Sequence, residues 1–345
     1  MIKLKVNKSS VLIGKGLFEN FSNHVLSVTN PCKVLVLSDE TVAKLYIEDL
    51  KKNLEISGFE VSEFIIKPGE KSKTLSTAMK IYEKMASKFL SRSDVIISLG
   101  GGIVSDLAGF SAATYLRGIK FISIPTSFLA QIDASIGGKN GVNLSFGKNL
   151  VGTFYNPELI VVDSNLLLTL PKRELSCGVA EAIKCGCIRD EKLFEIFENE
   201  NFEDNIDEII SRSIAIKKKI VENDEFDLGE RKLLNFGHTL GHAYEMLGNF
   251  KALSHGEAVA IGMAELAKIS EKFGLTKTGT CKRLTEVLKK HSLPTESYFS
   301  KKDVLKAVLH DKKISGSFID LAILKEIGSG FIHRISCDGI EDFLS

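Results

Sequence analysis

Seven histidines occur in this chain of 345 residues, and three of them, His238, His242 and His255, fall between positions 238 and 255. Random placement would give about 0.14 H-x-x-x-H pairs, so His238 with His242 carries weight as a metal-ligand pair. There is no H-E-x-x-H, which argues against a zincin protease. If residues 231–242 are helical, Arg231, Asn235, His238 and His242 follow at steps of four, three and four and form one polar stripe. Leu234, Phe236, Leu240 and Ala243 leave little of such a helix for solvent, so the stripe is not simply a wet face. Ser254 and Glu257 form a capping box around His255, which explains those two residues and leaves the histidine available as a ligand. Glu181 is a lone carboxylate in Gly178-Val179-Ala180-Glu181-Ala182-Ile183-Lys184, with Lys184 at i+3 on the same face. Two histidines, one carboxylate and an open position describe a catalytic zinc site. Spacing alone favours His238 with His242 and leaves open which histidines bind.

A second constellation lies in the first half. Gly100-Gly101-Gly102-Ile103-Val104-Ser105-Asp106 follows an apolar run and precedes a helix expected from about Ser105. There, glycines let the backbone approach a phosphate while helix N–H groups point at it. The loop is not G-x-G-x-x-G, and no G-x-x-x-x-G-K-[ST] occurs, which disfavours a P-loop ATPase. Asp39, at the end of the first clear strand, can cap a helix or accept a ribose hydroxyl; a carboxylate there repels the extra phosphate of NADP and favours NAD.

These groups need elements to hold them. Val34–Leu37, Glu60–Ile66, Val95–Leu99, Phe121–Ile124 and Leu159–Val162 read as strands, with helices to about Leu54 and over Thr74–Leu90. Short apolar strands alternating with helices predict a parallel sheet covered on both faces. From Pro171 helical spacing dominates: Lys172–Ile188, Phe194–Val221, Leu233–Leu247, His255–Phe273 and Lys282–His291, with strand character at Phe318–Leu324 and Phe331–Ile335. The expected division is an α/β domain over 1–170 and a mainly helical domain over 171–345, in line with two domains for this length.

Composition excludes several classes. The 45 basic and 44 acidic residues give a net charge of +1, so nothing global points to nucleic acid or an anionic membrane as partner. With 44% hydrophobic and 26% charged residues the chain can bury large cores. The six cysteines contain no C-x-x-C, and no apolar run suits a signal peptide or a bilayer span. A reduced cytoplasmic protein with thiols serving as small core residues is expected.

Together the motifs resemble the 3-dehydroquinate synthase family. The resemblance rests on Gly100-Gly101-Gly102-x-x-x-Asp106-x-x-Gly109-Phe110, Ala112-Ala113-Thr114-Tyr115-x-Arg117-Gly118 and Ile124-Pro125-Thr126-Ser127. Further pieces are Gln131 to Lys139, Gly147-Lys148-Asn149, the Glu181 segment, Leu234 to His242, and Ser254-His255-Gly256. It spans about Asp39 to Asp311-Lys312-Lys313. It implies a Rossmann-like NAD-binding domain, a helical metal-binding domain, and an active site between them. The implied reaction converts 3-deoxy-D-arabino-heptulosonate 7-phosphate to 3-dehydroquinate and phosphate, with NAD and zinc or cobalt. The implied metal ligands are Glu181, His238 and His255, which makes His242 a substrate-facing residue and the candidate proton relay. Implied substrate contacts are Arg117, Asp133, Lys139, Lys148, Asn149, Lys184, Lys217, Arg231, Asn235, His242 and Lys312 or Lys313. Of these, Lys139, Lys184, Arg231 and Asn235 join His242 as catalytic candidates. NAD contacts are implied for Asp39, Glu70, Lys73, Gly101, Gly102, Ile103, Val104, Ser105, Asp106, Thr126, Ser127, Asp133, Lys139, Lys148, and the Leu166-Leu167-Leu168-Thr169 turn. Arg117 is implied to reach across a subunit interface, hence a homodimer.

Two departures stand out. Ser127 replaces a more usual Thr, and Cys185 and Cys187 replace a Tyr and an aliphatic residue close to Glu181. The competing readings are a cyclase making 2-deoxy-scyllo-inosose or a valiolone, a metal- and NAD-dependent polyol dehydrogenase, and an inactive nucleotide- and metal-binding regulator. The cyclase substrates lack the carboxylate, so cationic positions intact here should be altered. A dehydrogenase would release NADH, and intact Glu181, His238, His255 and Lys139 argue against an inactive regulator.

Overall fold

A computed structural model of the chain describes residues 1–227, 229–249, 251–312 and 317–344. The chain divides into two compact units, Met1–Leu170 and Pro171–Ser345.

The first unit contains β1 (Ile2–Val6), β2 (Ser9–Ile13), α1 (Phe21–Leu26), β3 (Lys33–Asp39), α2 (Glu40–Ile56), β4 (Glu60–Ile66), α3 (Leu75–Ser87), β5 (Val95–Gly100) and α4 (Gly102–Thr114). β6 (Lys120–Pro125), β7 (Lys139–Leu144), β8 (Gly147–Phe154) and β9 (Leu159–Val162) complete it. Seven strands form one sheet in the order β1-β2-β9-β6-β5-β3-β4. Only the β1–β2 pair is antiparallel. Alternating residues of β3 serve the two faces. Val34 and Val36 pack with Leu50 and Ile97 on one side, Leu35 and Leu37 with Ile81 and Leu107 on the other. That two-sided burial is why these strands read as unbroken apolar runs.

The chain steps from β3 outward to β4, then returns to β5 on the other side of β3. The carboxyl ends of β3 and β5 therefore flank a topological switch point, where such sheets bind ligands. Asp39 ends β3 and Gly100 ends β5.

The second unit contains α5 (Lys172–Arg189), α6 (Glu191–Asn199), α7 (Ile206–Asn223), α8 (His238–Leu247), α9 (His255–Lys272), α10 (Thr280–Lys290) and α11 (Lys301–Lys312). A hairpin of β10 (Phe318–Glu326) and β11 (Ser329–Ser336) follows, then α12 (Ile340–Leu344). Every residue of α5 from Cys177 to Ile188 is buried, Glu181 and Lys184 included. α8 and α9 approach closely through glycine. A Cβ on Gly262 would lie 2.1 Å from the Gly237 carbonyl oxygen, and one on Gly241 3.3 Å from the Ala258 backbone. A Cβ on Gly256 would lie 2.4 Å from the Cys177 Cα, so the start of α9 rests directly on α5.

Four readings need correction. The helix after the glycine loop begins at Gly102, ahead of the expected Ser105. Phe194–Val221 is two helices, broken at Glu200–Asn205 where acidic and amide side chains hydrogen-bond locally. Residues 231–242 are not one helix. A 3-10 turn (Glu230–Asn235) stops at Phe236, and Gly237 takes φ +80° before α8 starts. A side chain at Gly237 would strike Met263 and the Val259 carbonyl, both within 2.7 Å, so tertiary packing imposes the break. The β7–β8 hairpin was not anticipated. Polar residues and Gly141 and Gly152 hide its strand character, yet those glycines let the strands meet closely.

Candidate functional site

In the second unit α5, α8 and α9 each bring one group to a common point. Among the described residues, Glu181, His238 and His255 form the cluster whose ligand atoms all lie within 4.8 Å of one another. His238 and His255 are the first residues of α8 and α9. The capping box around His255 is present: Ser254 Oγ accepts from the Glu257 N–H, and Glu257 accepts from the Ser254 N–H at 2.7 Å.

The Glu181 carboxylate divides its labour. Oε2 accepts from the Lys184 ammonium. Oε1 is buried without a hydrogen bond, with His238 Nε2 at 3.3 Å and His255 Nε2 at 3.4 Å. A buried, orphaned carboxylate oxygen facing two imidazole nitrogens is the donor set that a zinc-type cation takes, and it would satisfy all three. Burial disfavours the Glu181 charge, but Lys184 and His238 overcome it and hold the carboxyl well below the ordinary range. Burial also opposes charge on His255, yet Glu181 and Glu245 raise it to about 10. A cation must displace that proton to bind.

Spacing favoured His238 with His242 as the ligand pair, and the geometry joins His238 with His255 instead. His242 is exposed, its ring centroid 5.5 Å from His238 and 6.4 Å from His255, beside the cluster but outside it. The polar stripe thus runs forward along α8, from His238 through His242 to Glu245. Glu245 went unnoticed in the sequence, although a carboxylate seven residues beyond His238 in an apolar helix was the available signal. It is buried, with Oε2 3.5 Å from His255 Nδ1. His238 Nδ1 lies 3.2 Å from the Phe236 carbonyl oxygen.

The remaining candidates of this unit fall into three groups. Lys184, Lys217 and Arg231 are buried cations, and Arg231 donates to the Glu225 carbonyl at 2.6 Å. Asn235 is exposed. Lys313 and the side chain of Lys312 lie outside the described residues. Cys185 and Cys187 are buried packing groups, and burial pushes the Cys187 thiol far up.

In the first unit the glycine loop is a cradle that side chains would fill. A Cβ on Gly101 would lie 3.3 Å from Ser127 Oγ and one on Gly102 3.1 Å from the Ala134 Cβ. Gly102 opens α4, a helix long enough to offer its N–H groups and dipole to a pyrophosphate, so the residues present fit a dinucleotide. The Thr126 N–H bonds the Gly100 carbonyl at 3.0 Å, placing Thr126 and Ser127 beside the loop. Lys73, itself buried, donates to Asp106 and Asn149. Asn143, also missed in the sequence, donates to Glu70 at 2.6 Å and accepts from the Asn149 N–H at 2.8 Å. Asp39 caps α2, its Oδ1 accepting from Thr41 and Val42 N–H groups. Tyr46 hydroxyl reaches Thr169 and braces the Leu166–Thr169 turn, whose Leu168 is exposed. Asp133 is partly buried, and Arg117, Lys139, Lys148 and Asn149 are exposed.

Family models for the N-terminal and C-terminal parts of 3-dehydroquinate synthase match residues 63–177 and 178–314. The chain belongs to the 3-dehydroquinate synthase family. A 3-dehydroquinate synthase of Clostridium perfringens is 47% identical over 345 residues, covering 99% of each chain. Among solved structures, the 2-epi-5-epi-valiolone synthase of Streptomyces hygroscopicus, with NAD+ and Zn2+ bound, is 26% identical. It covers 100% of this chain and 98% of its own, with a TM-score of 0.87. A 2-deoxy-scyllo-inosose synthase complexed with carbaglucose-6-phosphate, NAD+ and Co2+ has a TM-score of 0.88 at 24% identity, with 99% of each chain covered, and shares the fold. The two family models meet inside α5, whereas the compact units part at Leu170–Pro171, because all of α5 packs with the helices of the second unit.

Proposed function

We propose that this chain is a 3-dehydroquinate synthase, a carbon–oxygen lyase converting 3-deoxy-D-arabino-heptulosonate 7-phosphate to 3-dehydroquinate and inorganic phosphate. The observation that carries the reading is the cluster of buried Glu181 with half-buried His238 and His255 in a chain of that family. Bound NAD would supply a reversible hydride acceptor, and a zinc or cobalt ion would supply Lewis acidity at the hydroxyl being oxidised.

The chain's own residues then have distinct tasks. Glu181, His238 and His255 hold the cation, and Lys184 keeps Glu181 ionised and ready to ligate at neutral pH. Lys184, Lys217 and Arg231 bind the substrate's carboxylate and phosphate; cations already buried in protein exert strong, weakly screened attraction on such anions. Arg117, Lys139, Lys148 and Lys312 or Lys313 add to that charge, while Asp133, Asn149 and Asn235 orient hydroxyls. His242, exposed beside the ligands, relays a proton to the carbocycle as it forms. Asp39, Glu70, Lys73, residues 101–106, Thr126, Ser127, Asp133, Lys139, Lys148 and residues 166–169 hold NAD. The substrate's phosphate departs by elimination and can itself accept the adjacent proton, so the chain needs few general bases.

We further propose a cytoplasmic homodimer. Among the described residues the six cysteines form no disulfide, as suits a reducing compartment. No helix among the described residues is long and apolar enough to cross a membrane. Arg117 is exposed on a backbone at φ +68°, following Leu116 at +50°, which supports a residue displayed for a partner chain.

The test is purified protein with NAD and zinc: phosphate should leave the heptulosonate phosphate with no net NADH. NADH accumulating in step with product would make it a dehydrogenase. Turnover of a hexose phosphate lacking the carboxylate, with the heptulosonate inert, would make it one of the other cyclases.

A further inference from the structure

The two histidines of the cluster are held in different ways. His238 turns Nδ1 to a neutral carbonyl, that of Phe236, two residues before it on its own chain segment. His255 has a carboxylate on each side of its ring: Glu181 Oε1 at 3.4 Å from Nε2 and Glu245 Oε2 at 3.5 Å from Nδ1. Glu245 is buried, between Tyr244 and the apolar end of α8. Burying a carboxylate there is costly unless it meets a charged or donating partner, and His255 Nδ1 is one it meets. The antiparallel packing that sets this meeting is fixed by the glycine contacts: Gly237 faces Met263, Gly241 faces Ala258, and Glu245 faces His255.

We propose that Glu245 is the positioning residue of the metal centre, accepting the Nδ1–H of His255 so that Nε2 keeps its lone pair for the cation. A ligating histidine has two tautomers and two ring orientations. A buried carboxylate on Nδ1 selects one of each and raises the basicity of the nitrogen opposite. The neutral carbonyl at His238 fixes a tautomer with less gain in basicity. His255 is therefore the ligand whose strength depends on a partner in another helix. This inference rests on the metal assignment made above.

The test is chelator competition on the zinc-loaded, full-length protein, comparing wild type with Glu245→Gln, Glu245→Ala and Glu265→Gln. Glu265 is the control, because it hydrogen-bonds the Tyr244 hydroxyl next along the helix and faces no ligand histidine. Loss of an outer partner typically costs about 10–100-fold in metal affinity. Glu245→Ala should fall in that range. Glu245→Gln, which can still accept the hydrogen bond but has no charge, should lose less, and Glu265→Gln should bind as wild type. In 15N-histidine NMR of the zinc form, the His255 Nδ1–H signal should be slow to exchange in wild type and faster in Glu245→Ala. Wild-type affinity in both Glu245 variants overturns the proposal, as does an equal loss in Glu265→Gln with matched loss of thermal stability. If wild type binds no zinc, or His255→Ala binds it as wild type does, the metal assignment itself fails. Tight wild-type binding lost in His255→Ala but kept in Glu245→Ala removes only the role of Glu245.

Discussion

The two candidate ligand sites are built from opposite materials. In the second unit a cation would meet side chains alone: one carboxylate and two imidazoles, from α5, α8 and α9. In the first unit the glycine loop offers backbone, and its side chains matter by being absent. The first kind of site fails when a chemical group is removed, the second when an atom is added. The two should therefore break independently and by different amounts.

The largest expected effect is at the cluster. His255→Ala should abolish tight zinc binding and lower kcat/KM on the order of 10³-fold, since Lewis acidity is worth several kcal/mol. His242→Ala should keep the metal and lose about 10²–10⁴-fold in rate, the usual range for a proton-transfer group. Metal analysis of both purified variants checks the contrast, and equal metal loss would erase the distinction between ligand and relay.

The pH dependence comes next. His255 is protonated up to about pH 10 in the metal-free protein, whereas Glu181 is ionised throughout the neutral range. Metal binding between pH 7 and 9 thus releases the His255 proton, and affinity should rise about tenfold per pH unit. Competition titrations at pH 7 and 8 measure this. NAD affinity over the same range should stay flat, because no imidazole lies among its proposed contacts.

A smaller loss is expected for Gly101→Val, whose branches would crowd Ser127 and the phosphate path. NAD should bind about tenfold more weakly, roughly 1.4 kcal/mol, with zinc affinity unchanged. Smallest is Asp39. Asp39→Ala should cost about 1 kcal/mol of stability through loss of the α2 cap, while Asp39→Asn keeps the cap and weakens NAD alone. Thermal melts with and without NAD separate the two roles.

How far the sequence could be read follows the same division. Strands buried on both faces, such as Val95–Gly100 and Leu159–Val162, announce themselves because nearly every residue is apolar. The capping box at Ser254 is local chemistry and equally plain. What stayed hidden depends on distant contacts. The break at Gly237 exists because α9 passes too close for a side chain, and nothing in residues 231–242 encodes α9. A stripe read from the sequence alone therefore extends back to Arg231, whereas in the fold it continues forward to Glu245. Resemblance to a family brings His255 into the cluster where spacing alone points to His242, since periodicity along one helix cannot register a residue from the next.

The three proposed ligands come from helices that only the folded chain brings together. An ion held by α5, α8 and α9 would act as a cross-link available to the native state and not to the unfolded one. Free metal at one hundred times its dissociation constant would add about 2.7 kcal/mol to folding. A cell starved of that metal would then accumulate less of this protein, as proteases remove the unfolded fraction, in addition to holding less of it in working form.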